Sequence, residues 1–398
     1  MTKVVLAFSH FDTGGLQTFM VRVAQWCKLQ NIPCLVIYQT IDQRMLALCA
    51  KEALEIQQAE NSKGREEALR RFVSKEDSVT LLTFEIAEFL DFERIRATKF
   101  RKYSIKHVMY NVSVTGAILG SKISGRVGKI IFNYYRHVVN KFYKNGQLMF
   151  MDAETKDVTL RYYRFPEDQA DNIMLLPMFI SPKPQRTMPD NRKIMTVARA
   201  VFPYKGYLIG LIKDFDKICE IHPETQLHMV AMGKDIDLVK ATIAQTINKE
   251  KIFLYEGLSL DEICAMLKTV YMYIGMGTTV LDAADAGVPS VVVFHSTMEN
   301  IASGYFHNIP QVLGSFGEGR PAAELILETL GLTEEAYLRV CESTFDEYEK
   351  NYNIDTNIKQ LLAHEVNNKD MFLTTAEWLA HKSLDYLKVM RRRILKIT

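Results

Sequence analysis

The chain has 398 residues, 48% hydrophobic and 24% charged, an ordinary soluble composition with length enough for two domains with real cores. The formal net charge of +2 excludes a strong global field of either sign. Six scattered cysteines (Cys27, Cys34, Cys49, Cys219, Cys264 and Cys341) form no C-x-x-C pair, which argues against a disulfide framework or a metal site and for a reduced, cytosolic protein with buried thiols.

Lys3–Ser9 is too short for a signal-peptide core, runs straight into a glycine turn and reads as the first strand. No apolar run reaches the ~18 residues of a membrane-spanning helix. Short apolar strands then alternate with longer amphipathic helices. Val4–Phe8 is a strand and Gln17–Gln30 a helix; Cys34–Tyr38 is a strand and Gln43–Gln58 mostly helix; Thr80–Phe84 and Lys106–Tyr110 continue the series. Gln147–Met151 and Asn172–Leu176 read as the last strands of the first half. This alternation predicts an α/β architecture, a parallel sheet with helices on both faces.

One segment of the first half stands apart. Arg94 to Met151 contains no Asp or Glu, and Lys122–Lys144 within it reads as a basic amphipathic helix. Ile123, Val127, Ile130, Ile131, Tyr134, Val138 and Phe142 form its apolar face, with Lys122, Arg126, Lys129, Asn133, Arg136 and Lys144 mostly opposite. Such a helix suits an anionic bilayer surface, with 94–144 as the docking region, where each basic residue contributes on the order of 1 kcal/mol. The alternative is a domain helix whose apolar face is core. No recognised nucleic-acid module appears.

Residues 181–191, proline-rich and polar, read as an interdomain linker. The pattern restarts with strands at Lys193–Val197, Gln226–Met232, Ile252–Tyr255, Val270–Ile274 and Ser290–Phe294, and is helical from about Pro321. An amphipathic helix at 376–395 carries Arg391–Arg393. The expected organisation is two doubly wound Rossmann-like domains, 1–185 and 186–374, facing a cleft, with the ligand at the carboxyl ends of the strands.

Three features fall at those strand ends. Ser9-His-Phe-Asp-Thr-Gly-Gly-Leu16 places Gly14 and Gly15 where backbone can approach a phosphate. Thr196-Val-Ala-Arg-Ala-Val-Phe-Pro-Tyr-Lys-Gly206 carries Arg199 and Lys205, a fork and a point charge that suit a diphosphate, or else two solvated surface charges. The third, Tyr273 to Val293, reads as strand, glycine turn, short helix at 279–286 and returning strand. There Gly275 and Gly277 free the backbone, Thr278 or Thr279 caps the helix, and its amides form an anion site, with Asp282 one turn in for a sugar or ribose hydroxyl. The alternative is an ordinary α/β turn.

In order and spacing these features resemble the GT-B glycosyltransferases, similar to the retaining family 4 enzymes, over nearly the whole chain. The resemblance implies that Gly15, Arg199 and Lys205 contact a donor diphosphate, and it groups Gly14, Gly233, Gly275, Gly277, Thr278, Thr279 and Asp282 with the donor. Gly275-Met-Gly277 matches the family's Gly-Phe-Gly, Asp282 takes the second position of its Glu-x7-Glu motif, expected at the ribose, and Gly287-Val-Pro289 its Gly-x-Pro. It implies that residues 375–398 cross back onto the first domain. Ile274 departs from the family, standing where a glutamate usually touches the donor sugar, so that sugar recognition is rebuilt, through Thr278 and Thr279, or transfer is lost. Leu176-Pro-Met-Phe-Ile180 departs from the usual Pro-Asn-Gly turn. Where many members carry a histidine near the reacting carbon, Asn111 lies nearest, with His107 inside the strand and His10 a further candidate.

The function implied is glycosyl transfer from a nucleotide diphosphate sugar, a UDP-sugar first, to a lipid-linked or glycan acceptor in surface polysaccharide or glycolipid synthesis. The expected location is cytoplasmic, on the inner face of the cell membrane. Arg199, Lys205 and helix amides would stabilise the leaving diphosphate. With no Asp-x-Asp motif in a suitable loop, no metal or other cofactor is expected. A sugar epimerase would need carboxylates and a histidine around the sugar, in which this chain is poor. A non-catalytic GT-B subunit that binds and regulates a partner enzyme is the other alternative, motivated by Ile274 and the lost Asn-Gly turn.

Overall fold

A computed structural model of the chain describes residues 1–12, 14–113, 116–118, 125–166, 172–366 and 374–383. It divides into two compact units, one of Met1–Met178 with the chain from Ile354 onward, the other of Phe179–Asn353.

Unit 1 runs β1 (Thr2–Phe11), α1 (Gly15–Leu29), β2 (Cys34–Ile41), α2 (Gln43–Lys51), β3 (Glu55–Gln58), α3 (Ser62–Phe72), β4 (Ser78–Thr83), α4 (Ile86–Lys99), β5 (Ser104–Asn111), α5 (Gly125–Lys144), β6 (Leu148–Phe150) and α6 (Ala153–Tyr163). The strands pair in parallel in the order β3-β2-β1-β4-β5-β6. Val4–Ala7 are buried without alternation, as in strands covered on both faces. The order reverses between β1 and β4, and a crevice opens at the carboxyl end of such a switch point.

Unit 2 runs β7 (Arg192–Arg199), α7 (Tyr207–Ile221), β8 (Thr225–Met232), α8 (Ile236–Ala244), β9 (Ile252–Tyr255), α9 (Leu260–Leu267), β10 (Met272–Gly275), α10 (Thr278–Asp285), β11 (Ser290–Val293), β12 (Ile301–Tyr305), β13 (Arg320–Pro321), α11 (Ala322–Leu330) and α12 (Glu334–Tyr352). Its sheet is ordered β13-β12-β11-β10-β7-β8-β9, parallel from β9 to β11, with β12 and β13 antiparallel on one edge. Here the switch point falls between β7 and β10. Helix α13 (Ile354–Ala363) groups with unit 1, where the Lys106 ammonium donates to the carbonyls of Leu361, Leu362 and His364 at its C-terminal end.

Several expected elements come out differently. Gln43–Gln58 is not one helix: the chain turns after α2, and Glu55–Gln58 pairs with β2 as an edge strand. Asn172–Leu176 is no strand, making only a single bridge from Ile173 to Phe150. Among the described residues of α5, most of the expected apolar face lies in the core of unit 1, where Ile131, Val138 and Phe142 pack with Phe89 and Met109. Ile130 instead stays 62% exposed. Lys122, Ile123, the side chain of Val127 and residues 384–395, with Arg391–Arg393, lie outside what the structure describes. Residues 375–383 are helical.

Candidate functional site

Helix starts differ in how they are capped, and α4, α8 and α11 follow Glu85, Asp235 and Pro321 with no side-chain cap. Asp42, Asn61, Asp152, Ser259 and Thr333 cap α2, α3, α6, α9 and α12 with their own side chains. Helices α1, α7 and α10 start instead at Gly14, Gly206 and Gly277, with no side-chain cap. A glycine start offers the first-turn amides no side-chain partner. In α7, however, the Leu208 and Ile209 amides donate to the Lys205 and Gly206 carbonyls at 3.2 and 2.9 Å, and the first turn is buried. All three glycine starts follow the segments singled out by sequence.

In unit 2 the switch point brings two of these segments side by side. Arg199 ends β7, exposed, and Gly275 ends the neighbouring β10. Gly277 caps α10 with φ 73° and ψ −150°, in a region essentially reserved for glycine, and a Cβ there would meet no atom within 4 Å. The helix spans Thr278–Asp285, so neither threonine is the cap. The Thr279 hydroxyl turns inward, accepting from the Tyr273 hydroxyl at 2.6 Å and lying 3.3 Å from the Met276 carbonyl. It is thus spent on the fold and not on a sugar. Thr278 and Asp282 are half-buried in the first turns. Ile274 is fully buried within the apolar core of the unit.

Lys205 is half-buried, and desolvation together with the Arg199 guanidinium pushes its ammonium down to about 8. A like-charged pair of this kind is what a diphosphate can neutralise. The turn that carries them is fastened to β8: Ala200 N–H donates to the Met232 carbonyl (2.7 Å), Phe202 N–H to the Asp235 carboxylate (2.7 Å) and Asp235 N–H to the Ala200 carbonyl (3.1 Å). Gly233, at φ 138°, lies so close beneath that turn that a Cβ would come within 2.7 Å of the Ala200 oxygen. Asp235 escaped the sequence reading; an acid just past a strand end, two residues after a glycine, was its only signal.

In unit 1 the glycine turn has a different basis from the one expected. Gly14 is extended (φ −175°), a conformation open to any residue. What favours glycine there is the Gln17 side-chain oxygen, 2.7 Å from where a Cβ would sit, while the Gln17 amide donates to the His10 carbonyl at 2.7 Å. Gly15 opens α1, exposed. The exposed His10 ring lies 3.2 Å from the Thr40 hydroxyl. Asn111 ends β5, fully buried, its side-chain oxygen 3.5 Å from the Ser113 amide.

His107 is a core group. Its Nδ1 bonds Glu93, its Nε2 lies 3.0 Å from the Thr83 hydroxyl, and its ring stacks on Phe89 at 4.3 Å. Glu93 in turn accepts two hydrogen bonds from Arg96, at 2.9 and 2.8 Å. Burial pushes the imidazole down. With both ring nitrogens engaged and no exposed surface, it offers a substrate nothing.

A second group missed by sequence lies at the β1–β4 switch point. Glu88, near the start of α4, accepts from the Ser9 amide, and its other oxygen, Oε2, is buried without a partner. Burial pushes this carboxyl up to about 7. Arg65 binds Asp91 at 2.7 Å and the Ser9 hydroxyl at 3.1 Å beside it. Among the described residues no group of three or more His, Cys, Asp or Glu is placed to hold a metal ion, and no helix is long and apolar enough to cross a membrane.

No protein-family model matches the chain, and no curated protein matches it by sequence. Solved structures do match. Anabaena Alr3699/HepE in complex with UDP aligns with a TM-score of 0.65 at 11% identity, over 90% of this chain and 98% of that one. A glycosyltransferase from Rickettsia africae ESF-5 aligns at 0.63 and 14% identity, over 93% and 98%. A mutant of S. aureus TarM in complex with Fondaparinux, alpha-GlcNAc-glycerol and UDP aligns at 0.62 and 10% identity, over 91% and 99%. The fold is GT-B. These alignments run through both units and not through a single Rossmann-like domain. At these identities the likeness is one of fold.

Proposed function

We propose that the protein is a glycosyltransferase that takes its sugar from a nucleotide diphosphate sugar. The observation that carries this reading is the pairing of Arg199 and half-buried Lys205 beside the uncapped, glycine-started α10 at the switch point of unit 2. As the bond from the sugar to the diphosphate breaks, negative charge gathers on the leaving oxygens, and positive groups already in place stabilise it without reorganising. Asp282 would take the ribose, and Gly15 would add a backbone contact. UDP is the nucleotide we favour, since it is the one held in the HepE and TarM structures. The resemblance of 273–293 to family 4 supports retention of configuration. Because the cations come from the chain itself, transfer is expected to persist in a chelator.

The acceptor class we favour is a lipid-linked or other glycan acceptor in surface polysaccharide or glycolipid synthesis, with the protein held electrostatically on an anionic membrane. What supports docking is charge: α5 exposes Arg126, Lys129, Arg136 and Lys144 within the acid-free stretch, although its apolar face is largely spent on the core. Flotation with anionic vesicles at low salt, abolished at roughly 0.5 M salt, is the expected behaviour, and salt-independent flotation or none would exclude this docking mode.

The direct test is transfer. The purified chain is incubated with UDP-, GDP- and ADP-sugars and a membrane glycolipid extract, and the diphosphate released is counted. One donor should turn over, and Arg199→Ala or Lys205→Ala should slow it by about 100-fold or more. A second reading, a non-catalytic subunit that regulates a partner enzyme, is favoured by the burial of Ile274 in place of a sugar-binding carboxylate. Turnover by the isolated chain excludes it; binding of a nucleotide without turnover of any donor supports it.

A further inference from the structure

Sugar recognition has no obvious home in the α10 segment, where Ile274 is core and the Thr279 hydroxyl is spent inward. Beside Lys205, however, lies an arrangement with the chemistry that the segment lacks. The Tyr204 ring is 45% exposed, too much for a core residue. The Lys205 ammonium sits 5.3 Å from its centroid, and the His295 ring lies against it at 5.4 Å. His295 and Ser296 follow β11, and the His295 Nδ1 is 2.9 Å from the Ser296 hydroxyl.

The backbone there is held in a costly conformation. Ser296 has φ 59°, the left-handed region that a side chain disfavours, and its N–H donates to the Tyr204 carbonyl at 3.0 Å. His295 N–H donates to the Ser315 hydroxyl at 2.9 Å. The loop after β11 is therefore fastened to the turn that carries Lys205, and together they bring the exposed Tyr204 ring, the half-buried His295 imidazole and the exposed Ser296 hydroxyl to one place. An aromatic face with a few polar groups around it is how a site takes a pyranose, whose C–H face is apolar and whose rim is hydroxyls. Proximity to Lys205 selects which part of the donor lies here. The transferred sugar is bonded directly to the phosphate, whereas the nucleobase is a whole ribose away.

We propose that Tyr204, His295 and Ser296 form the subsite for the transferred sugar, in place of the carboxylate that Ile274 displaces. The inference rests on the reading of Arg199 and Lys205 as the diphosphate pair. The test is calorimetric titration of the wild type, Tyr204→Ala and His295→Ala with matched ligands: UDP and UDP-glucose, GDP and GDP-mannose, ADP and ADP-glucose. Both variants should lose about tenfold or more in affinity for the sugar nucleotide, with a loss of under about threefold for the matching diphosphate. Parallel losses, or none, would overturn the subsite while leaving the diphosphate pair intact. If the wild type binds no diphosphate at all, the donor reading itself fails. Should either alanine variant unfold, Tyr204→Leu and His295→Gln carry the same comparison.

Discussion

In the proposed function Lys205 is the residue on which the chemistry would turn, and its environment sets a measurable pH dependence. Its ammonium is pushed down to about 8 by desolvation and Arg199. A diphosphate requires the protonated form, so affinity should be flat from about pH 7, above the phosphate's own ionisation near 6, to pH 8 and fall by up to tenfold per unit above it. Lys205→Arg, whose charge does not titrate in this range, should abolish the fall; an unchanged profile would remove Lys205 from the site. The same depression costs stability below pH 8, where the folded state must hold a proton that the unfolded lysine holds more easily. That cost should ease as pH rises from 8 towards 10.5. Glu88 works in the opposite sense. Its folded-state value, about 7, lies above the ordinary 4.5, so its contribution to stability is complete below pH 4.5 and is lost as pH rises through 7. Glu88→Gln should flatten that slope, worth on the order of 2–3 kcal/mol across the window, in urea unfolding followed from pH 4.5 to 8. An unaltered slope would mean that Glu88 ionises in the folded chain as it does in water. At this scale the sequence was only partly legible. Arg199 and Lys205 announce themselves as cations at a strand end. His107 could not be told from a catalytic histidine, because its partners Glu93 and Thr83 come from other elements.

Among the elements, alternation of apolar strands and amphipathic helices made the parallel strands legible, because a strand buried on both faces is an uninterrupted apolar run. Edge elements were not: β3 reads Glu-Ile-Gln-Gln and is half polar, since it pairs only on one side. Strand β12, with Gly304 at φ 146°, lacks the apolar run altogether. The amphipathic pattern of α5 was real, but the pattern alone does not say whether core or bilayer takes the apolar face, and the core takes most of it. Strand β10 shows the same limit. Position 274 matches a site position by alignment, yet its side chain points into the apolar core. Ile274→Glu therefore should not rebuild a sugar contact. It buries a carboxylate and should destabilise the protein by at least ~3 kcal/mol in urea unfolding. A stable Ile274→Glu protein with tightened sugar-nucleotide binding would show that the position does face the ligand.

For the molecule as a whole, the GT-B architecture explains why so few residues would be needed for the proposed chemistry. Doubly wound sheets deliver loops to the carboxyl edge at their switch points, β1–β4 in unit 1 and β7–β10 in unit 2, and the glycine-started helices α1, α7 and α10 follow the strands β1, β7 and β10 there. The rest of each unit holds those loops in place. In the function proposed above, the switch point of unit 2 binds a nucleoside diphosphate through Arg199, Lys205 and α10. Thermal unfolding of the wild type and Lys205→Ala with UDP, GDP, ADP and CMP tests it most directly. A ligand at about 100 times its dissociation constant adds roughly 2.7 kcal/mol to stability, a shift of a few degrees. One diphosphate should raise the midpoint of the wild type and leave that of Lys205→Ala unmoved. No shift with any nucleotide, or an equal shift in both proteins, would contradict it.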